Sequence, residues 1–157
     1  MLTLEWESLD RLLDDGVEDM LARHWDEVAV DKDIIPLAPD WDRAFKLQEN
    51  DILHTAAMRR DGQLVGYNAF LVMPALHYRF TIHAINDVIF VSPEERGTAG
   101  IKMIRGCEAM LRELGVVKIL YHTKLHVAVG AKRQALVGDI LSRLGYRLDE
   151  HIYSRLL

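Results

Sequence analysis

The chain has 157 residues, of which 50% are hydrophobic and 27% are charged, and its formal net charge is −5. This length predicts a single domain over residues 1–157 with a sizeable buried core, and the composition is typical of a globular protein. The acidic balance argues against DNA or RNA as a main partner, because nucleic-acid binders usually carry a basic surface.

The sequence also bears on the compartment. The single cysteine, Cys107, rules out an internal disulfide and suits a reducing environment. No hydrophobic run approaches the ~20 residues of a membrane span, and the N-terminus lacks a basic segment followed by an apolar one. We therefore expect a cytoplasmic protein without a membrane partner.

The first third of the chain has helical periodicity. Leucines and aromatic residues recur at helical spacing over Glu5–Val30, and Gly16 divides this stretch into two predicted helices. Asp31–Trp41 contains two prolines and predicts a loop, and Asp40 is placed to cap a short helix over Trp41–Gln48.

The middle of the chain predicts strands. Ile52–Arg60 and Leu64–Met73 flank Asp61-Gly62, a strong signal for a tight hairpin. Pro74–Arg79 predicts a connection, and Phe80–Val91 predicts a longer strand that follows it.

The stretch after this strand combines a glycine-containing loop with a helix. Ser92-Pro93 ends the strand, since proline cannot donate to a ladder. Glu94–Gly100 then leads into an amphipathic helix that extends to Leu114. The first amides of such a helix have no partner within it, and they lie at the positive end of its dipole. The pattern therefore predicts an anion site, in physical terms a phosphate cradle.

The remaining elements alternate between strand and helix. Val116–His122 predicts a strand, Leu125–Gly130 a loop, Ala131–Leu144 a helix, and Glu150–Leu156 a final strand. The whole order predicts an α/β (α+β) fold with one mixed central β-sheet flanked by helices and a helical N-terminal third.

Val91–Gly100 (VSPEERGTAG) resembles the coenzyme A pyrophosphate loop of the GNAT family of N-acetyltransferases. Gly115–Leu120 matches the strand that follows the loop helix in that family. Leu144-Gly145-Tyr146 and Glu150–Leu157 resemble its leucine-glycine-aromatic close and final strand. The resemblance covers roughly Asp51 to Leu157, and within the family the loop is most like that of short members from bacteriophages and prophages.

The chain departs from the family pattern at two places. Ala99 precedes Gly100, and Ile101 fills the position where the loop usually ends on a small residue. Leu141 occupies the position of the tyrosine that often serves as the general acid. Coenzyme binding is therefore better supported than an inherited acid.

The resemblance implies roles for two sets of backbone groups. Free groups of the strand before the loop, which a bulge splays from the next strand, would pair with the amides of pantetheine; the matching residues are Ile89, Phe90 and Val91. The loop would hold the pyrophosphate through Arg96, Gly97, Thr98, Ala99, Gly100 and Ile101. The Thr98 hydroxyl either contacts a phosphate or caps the helix.

The resemblance also indicates three candidates for proton transfer. Asp87 matches the acidic position that family members often carry on the splayed strand, where it acts as a base. His83 shares the strand parity of Asp87 and is chemically the better base at neutral pH. Tyr121, at the end of its strand, is the favoured acid. Each residue also has a structural alternative. Asp87 either caps a turn or forms an ion pair, His83 lies on a partly solvent-exposed face of the sheet, and Tyr121 is an ordinary aromatic residue of the core.

Two functions follow from these patterns. The first is an acetyl-CoA-dependent N-acetyltransferase in which an unidentified amine attacks the thioester directly, in a bacterial or phage-infected cell. The alternative is a catalytically weak or inactive interaction module with the same fold. A modifier of nucleic acid is disfavoured by the acidic balance, and a homodimer is compatible with the family.

Two further patterns have ordinary explanations. We expect no metal, since His122 and His126 lack an evident third ligand. Acidic residues of the N-terminal third either attract a cationic amine or are plain surface charge; they are Asp26, Glu27, Asp31 and Asp33.

Overall fold

The computed structural model describes residues 1–124 and 137–157, which form five β-strands and five α-helices. In chain order these are β1 (Leu2–Glu7), α1 (Leu9–Asp14), α2 (Val17–Val28), α3 (Trp41–Glu49), β2 (Leu53–Arg60), β3 (Gln63–Ala75), β4 (Tyr78–Val91), α4 (Thr98–Glu113), β5 (Val116–Leu120) and α5 (Val137–Arg143). The chain divides into two compact units, Met1–His122 and Thr123–Leu157.

One mixed sheet forms the centre of the first unit, as the sequence predicts. The strand order is β1-β2-β3-β4-β5, with antiparallel pairing throughout except between β4 and β5, which are parallel. Asp61 and Gly62 both have positive φ, at 50° and 87°, and form the predicted tight hairpin. β3 extends to Ala75, beyond the predicted end, because the pairing shifts after Pro74 and so tolerates the proline.

The N-terminal segment differs from its helical prediction. Leu2–Glu7 is a strand that pairs with β2, whereas the periodicity predicts a helix from Glu5 onward. Leu2, Leu4 and Trp6 pack against the core at alternate positions, which is the signature of a strand. The predicted break at Gly16 and the predicted cap at Asp40 are both confirmed, the latter by a bond of 3.0 Å from Arg43 N to Asp40 Oδ1.

Helices cover both faces of the sheet. α4 packs through Met103, Cys107 and Leu111 on one face, against Phe70 of β3. α1, α2 and α3 lie on the opposite face, against a buried cluster of Leu9, Leu12, Val17, Met20, Ala57, Tyr67 and Phe90. Successive side chains of β3 and β4 point to opposite faces of the sheet. Whether a residue has an odd or an even position in the strand therefore decides which of the two clusters it packs in.

Arg59 is buried near the hairpin and does not belong to a basic surface patch. Its Nη2 lies 2.6 Å from Glu7 Oε2 and 2.5 Å from Asp15 Oδ2. These hydrogen bonds, that of Glu7 foremost, hold the pKa of Arg59 above its usual range. Arg60 pairs with Glu95 at 2.6 Å. Both arginines at this end of β2 are thus paired with carboxylates.

The second unit contains α5. Gly145, with a φ of 93°, ends it in a Schellman motif, in which Gly145 N donates to Ser142 O and Tyr146 N donates to Leu141 O. The predicted final strand is wrong, because Glu150–Leu156 is exposed and has no strand structure. A strand needs a partner that supplies a ladder, and the described part of this unit contains no other strand. The predicted loop at 125–130 and the start of the predicted helix lie outside the described residues.

No helix in the described part of the chain is both long enough and apolar enough to cross a membrane.

Candidate active site

The loop between β4 and α4 leaves the start of a helix open. A short 3-10 turn over Pro93–Glu95 leads to Gly97, which precedes the first residue of α4 and has φ 106° and ψ −116°. Only glycine adopts this conformation readily. Gly97 supplies no side-chain cap, and a Cβ added at Gly97 or Gly100 would meet no atom within 4 Å. The first turn of α4 thus has amides without an acceptor in the helix and open space in front of them. This arrangement, at the positive end of the helix dipole, fits a phosphate group.

Thr98 is the first residue of α4 and does not cap it, since Gly97 holds the capping position. Of the two roles predicted for its hydroxyl, the capping role is thus not observed. Ala99 is buried at 3% exposure, whereas Ile101 is 41% exposed. Of these two residues, Ala99 anchors the helix to the core.

β4 separates from β5 before it ends. The parallel pairing covers only Ile82–Ile85 of β4, and Leu120 is the last paired residue of β5. Asn86–Val91 continue to pair with β3 but have no β5 partner among the described residues. An edge of this kind can accept an extended chain that carries amides. Ile89, Phe90 and Val91 lie along this edge, and their pairing with pantetheine stays a prediction.

A β-bulge at Asp87 marks the point of separation. Asn86 is opposite Phe70 and Val88 is opposite Ala69, so Asp87 is an extra residue in β4. The bulge brings Asp87 and Val88 to the same face of the sheet, where both line a cavity. Asn86 is buried on the other face, and its Nδ2 lies 2.7 Å from Asn68 Oδ1, 3.1 Å from Ala69 O and 3.0 Å from Val88 O. This amide fills the bulge and holds it in place.

The cavity has a volume of about 450 Å³ and lies between the sheet and the N-terminal helices. That volume is within the range of small-molecule sites. Its walls are mostly apolar side chains from α1, α2, α3, the segment between α2 and α3, and β2–β4; they include Leu9, Leu12, Val17, Leu21, Trp25, Pro36, Leu37, Trp41, Leu53, Ala69 and Val88. Asp87 is exposed and contributes a carboxylate to this lining.

Tyr67 of β3 also lines the cavity and was not among the predicted site residues. It is only 4% exposed, and its hydroxyl has no hydrogen-bond partner among the described residues. Burial, and secondarily the carboxylate of Asp87, raise the pKa of Tyr67 well above its ordinary value. The hydroxyl therefore stays protonated near neutral pH and remains able to donate.

Arg96 turns toward α2. Its Nη2 lies 2.6 Å from Glu27 Oε2, its Nε donates to Val91 O at 3.0 Å, and its guanidinium lies 5.6 Å from the centre of the Phe90 ring. The cation of the loop is thus paired with a carboxylate, and the Val91 carbonyl accepts a bond from it. Asp26 pairs with Lys32 at 3.3 Å. Two of the four acidic residues considered as an amine attractant are therefore engaged in ion pairs.

The other two predicted catalytic residues lie away from the cavity. His83 belongs to the paired part of β4, stacks on Tyr78 and has its Nε2 3.3 Å from Thr81 Oγ1. It is four residues from Asp87, or roughly 13 Å along an extended strand, and it is not part of the described cavity lining.

Tyr121 directly follows β5, beside the place where β4 and β5 separate. Its hydroxyl accepts a hydrogen bond from Asn68 Nδ2 at 3.3 Å, and its ring packs edge-on against Phe70 on the α4 face. Asn68 is itself bonded to Asn86. One chain of hydrogen bonds thus connects the bulge to Tyr121.

Leu141, at the family's usual acid position, is buried in α5. Among the described residues, no three histidine, cysteine or acidic side chains are grouped so that they could hold a metal ion, and His126 lies outside those residues.

Solved structures resemble this chain along its whole length. An aminoglycoside acetyltransferase from an uncultured soil metagenomic sample has a TM-score of 0.73 at 15% identity, covering 100% of this chain and 99% of that one. A ribosomal-protein-alanine N-acetyltransferase from Brucella melitensis biovar Abortus has a TM-score of 0.68 at 19% identity, with coverage of 100% and 99%. The chain has the GNAT fold.

A third GNAT-fold structure, a predicted acetyltransferase with acetyl-CoA from Clostridium acetobutylicum, has a TM-score of 0.62 at 12% identity, covering 100% of this chain and 96% of that one. No protein-family model matches the chain, and no curated protein sequence does either. The similarity is thus one of structure, at sequence identities that establish the fold alone.

Proposed function

We propose that the protein is an acetyl-CoA-dependent N-acetyltransferase that transfers the acetyl group to an amine by direct attack on the thioester. The observation that carries this proposal is the continuity of two features: the open edge of β4 beyond Asn86 and the uncapped start of α4. The edge suits the amides of a pantetheine arm, and the helix start suits a pyrophosphate.

The residues of the chain then have distinct roles. Backbone groups of Ile89–Val91 align the extended arm, and the amides of Gly97–Gly100 with Ile101 hold the phosphates. The thioester carbon lies where β4 and β5 separate, next to the bulge. The acceptor amine enters from the cavity on the side of Asp87.

Two protons move during the transfer. Asp87, directly or through a water molecule, takes the proton from the attacking amine as the new C–N bond forms and the C–S bond breaks. The thiolate that leaves takes up a proton from Tyr121 or from water. Tyr121 is favoured because it lies beside the strand separation and because Asn68 fixes its oxygen. His83 is too far along β4 to reach the same carbon.

A second candidate function is supported by the pairing of Arg96. Arg96 is engaged by Glu27 and by the Val91 carbonyl, both within the proposed coenzyme region. A GNAT-fold protein that binds coenzyme A weakly, and that acts as an interaction module, would be compatible with these contacts. The two candidates differ in whether acetyl-CoA binds and reacts.

Thermal melting with and without acetyl-CoA tests the proposal. A ligand at 100 times its dissociation constant stabilises the native state by about 2.7 kcal/mol, so we expect a rise of several degrees. Gly100→Glu should remove the shift while the protein still folds, because the added side chain enters open space and its charge repels phosphate. Gly100→Gln is the control of equal size. The absence of a shift at millimolar acetyl-CoA would reject the transferase and favour the interaction module.

The narrower predictions belong to this proposal. We propose that the enzyme acts in the cytoplasm of a bacterial or phage-infected cell and resembles phage-encoded members of its family. We also propose that the chain is a single domain and that it forms a homodimer, which size-exclusion chromatography with light scattering would test.

A further inference from the structure

The polar groups of the cavity are few and have separate roles. Its walls include the rings of Trp25 and Trp41, and the indole of Trp41 donates to Glu18 Oε1 at 3.0 Å. Asp40 also lines the cavity but accepts the capping bond from Arg43 N. Asp87 and Tyr67 take part in neither the Trp41–Glu18 hydrogen bond nor the helix cap.

Tyr67 is the unusual member of this lining. A buried hydroxyl without a hydrogen-bond partner is rare and unfavourable in a native protein. Phenylalanine at this position would fill the same space in the apolar cluster without that penalty. The hydroxyl, a donor at neutral pH, has no exposed surface in this structure, so ligand binding must open the lining around it before a ligand oxygen can accept its hydrogen bond.

Asp87 supplies the complementary charge. Its exposed carboxylate lines the same cavity, on the strand adjacent to that of Tyr67. A carboxylate at this place attracts an ammonium group. The apolar walls, however, disfavour a strongly hydrated ligand such as an amino sugar, whose hydroxyls would lose water without gaining partners.

We propose that the cavity selects a small primary amine with an aliphatic or aromatic body, which carries its amino group at Asp87 and an oxygen that accepts a hydrogen bond from the Tyr67 hydroxyl. This inference rests on the proposed function in one respect, namely that the amine is the acetyl acceptor. The binding itself is a property of the cavity and can be measured without transfer.

Tryptophan fluorescence of the full chain provides the test, with two matched pairs of amines. Phenethylamine is compared with tyramine, and hexylamine with its terminal amino alcohol, while glucosamine is the polar comparison. We expect the apolar amines to bind more tightly than glucosamine, and the oxygen-bearing member of at least one pair to bind up to about tenfold more tightly than its partner, as one neutral hydrogen bond allows.

Variants assign the effects to residues. Tyr67→Phe should abolish the preference for the oxygen-bearing amine without weakening its partner, whereas Tyr78→Phe, at an exposed tyrosine, should change nothing. Asp87→Asn should weaken both members of a pair equally. Trp25→Phe and Trp41→Phe should each reduce the fluorescence change, which places the ligand in the cavity.

Coenzyme binding is measured separately by melting, so the two proposals can fail independently. The inference is overturned if glucosamine binds more tightly than the apolar amines, if no amine binds, or if Tyr67→Phe keeps the oxygen preference. Any of these results together with coenzyme binding leaves the transferase intact. Amine selectivity that depends on Tyr67, without coenzyme binding, upholds the inference and rejects the transferase.

Discussion

Asn86 and Asp87 are neighbours in β4 with opposite surroundings. The Asn86 side chain is buried and hydrogen bonded across the bulge, whereas Asp87 is exposed at the cavity. Strand alternation directs the two side chains to opposite faces, and the bulge adds Val88 to the face of Asp87. We therefore expect substitutions at the two positions to separate stability from activity.

Asp87→Asn should lower kcat/KM by about 10²–10⁴-fold, the typical contribution of a general base. The free energy of unfolding should change by no more than about 0.5 kcal/mol, as is usual for an exposed side chain. Thiol release during acetyl transfer and urea unfolding measure the two quantities. Asp42→Asn, on the exposed first turn of α3, is the control of equal charge. Full activity of Asp87→Asn would exclude Asp87 as the base.

Asn86→Ala should destabilise the protein by about 2–3 kcal/mol, because the carbonyl groups of Asn68, Ala69 and Val88 lose a shared donor in a buried place. Asn86→Asp is the comparison that retains shape but changes the donor. Urea unfolding measures the effect. A change below about 0.5 kcal/mol would mean that the bulge is held by the backbone alone.

Tyr67→Phe should stabilise the ligand-free protein by about 1 kcal/mol, since it removes a buried hydroxyl that has no partner. An increase in the melting temperature, measured by calorimetry without ligand, is the expected result. If the variant is instead less stable, the hydroxyl makes a favourable interaction in solution, and the reason for assigning it to a ligand would disappear.

At the scale of elements, the Arg96–Glu27 ion pair connects the loop before α4 with α2. Both side chains are about one-third exposed, at 32% and 31%, so the pair itself should contribute no more than about 1 kcal/mol to stability. If the loop holds a pyrophosphate as proposed, Glu27 competes with that phosphate for the Arg96 guanidinium, and the effect on coenzyme binding should exceed the effect on stability.

Substitutions of the pair should change coenzyme affinity in opposite directions. We expect Glu27→Gln to tighten coenzyme A binding, since Arg96 is then available to an anion, and Arg96→Gln to weaken it. Isothermal titration measures both, and Asp19→Gln on the first turn of α2 controls for the loss of a negative charge. Equal affinity in all variants would show that Arg96 has no role in binding the coenzyme.

Local signals predicted the elements that local interactions stabilise. The hairpin at Asp61-Gly62 and the cap at Asp40 each depend on residues a few positions apart, whereas α4 begins at Thr98, within the stretch that the sequence predicts as a loop. The sequence did not predict β1, because its alternation of apolar and polar residues is short. That alternation indicates a strand only once the pairing with β2 is known. The bulge depends on the register between β3 and β4, in which two residues of β4 lie opposite one residue of β3. The sequence of β4 alone does not determine that register.

The candidate site was predictable to a similar degree. The roles of Gly97–Gly100 and Asp87 stay predictions, but these residues could be proposed from the sequence because a family motif surrounds them. Tyr67 could not, because a tyrosine in an alternating strand resembles an ordinary core residue until its unpartnered hydroxyl is seen. Leu141 and the missing final strand show the limits of the resemblance, which predicted the chain's end less well than its middle.

At the scale of the whole molecule, buried acidic groups should limit stability at high pH. Burial raises the pKa of Cys107 to about 12, and burial likewise raises the pKa of Tyr67. Both groups bind their proton more tightly in the folded state. Their contribution to the free energy of unfolding is therefore complete below the unfolded-state pKa values, about 9 for cysteine and 10 for tyrosine. It is lost as the pH rises toward the pKa values of the folded state.

We expect the free energy of unfolding to be steady from pH 7 to about 9 and then to fall by a few kcal/mol as the pH approaches about 12. Urea unfolding at a series of pH values measures this profile. The double variant Cys107→Ala, Tyr67→Phe should have a flatter alkaline limb. A limb as steep as that of the wild type would assign the effect to other groups.

The bulge makes β4 one residue longer than its pairing with β3 requires. Asn86 faces α4 and Val88 faces the cavity, so the alternation of β4 would be regular without the residue between them. A chain shortened by Asp87 would keep every other side chain on its present face and regain a continuous ladder with β3. The supernumerary residue, supported by a buried amide, thus gives up one position of the β3–β4 ladder and places a carboxylate beside a cavity.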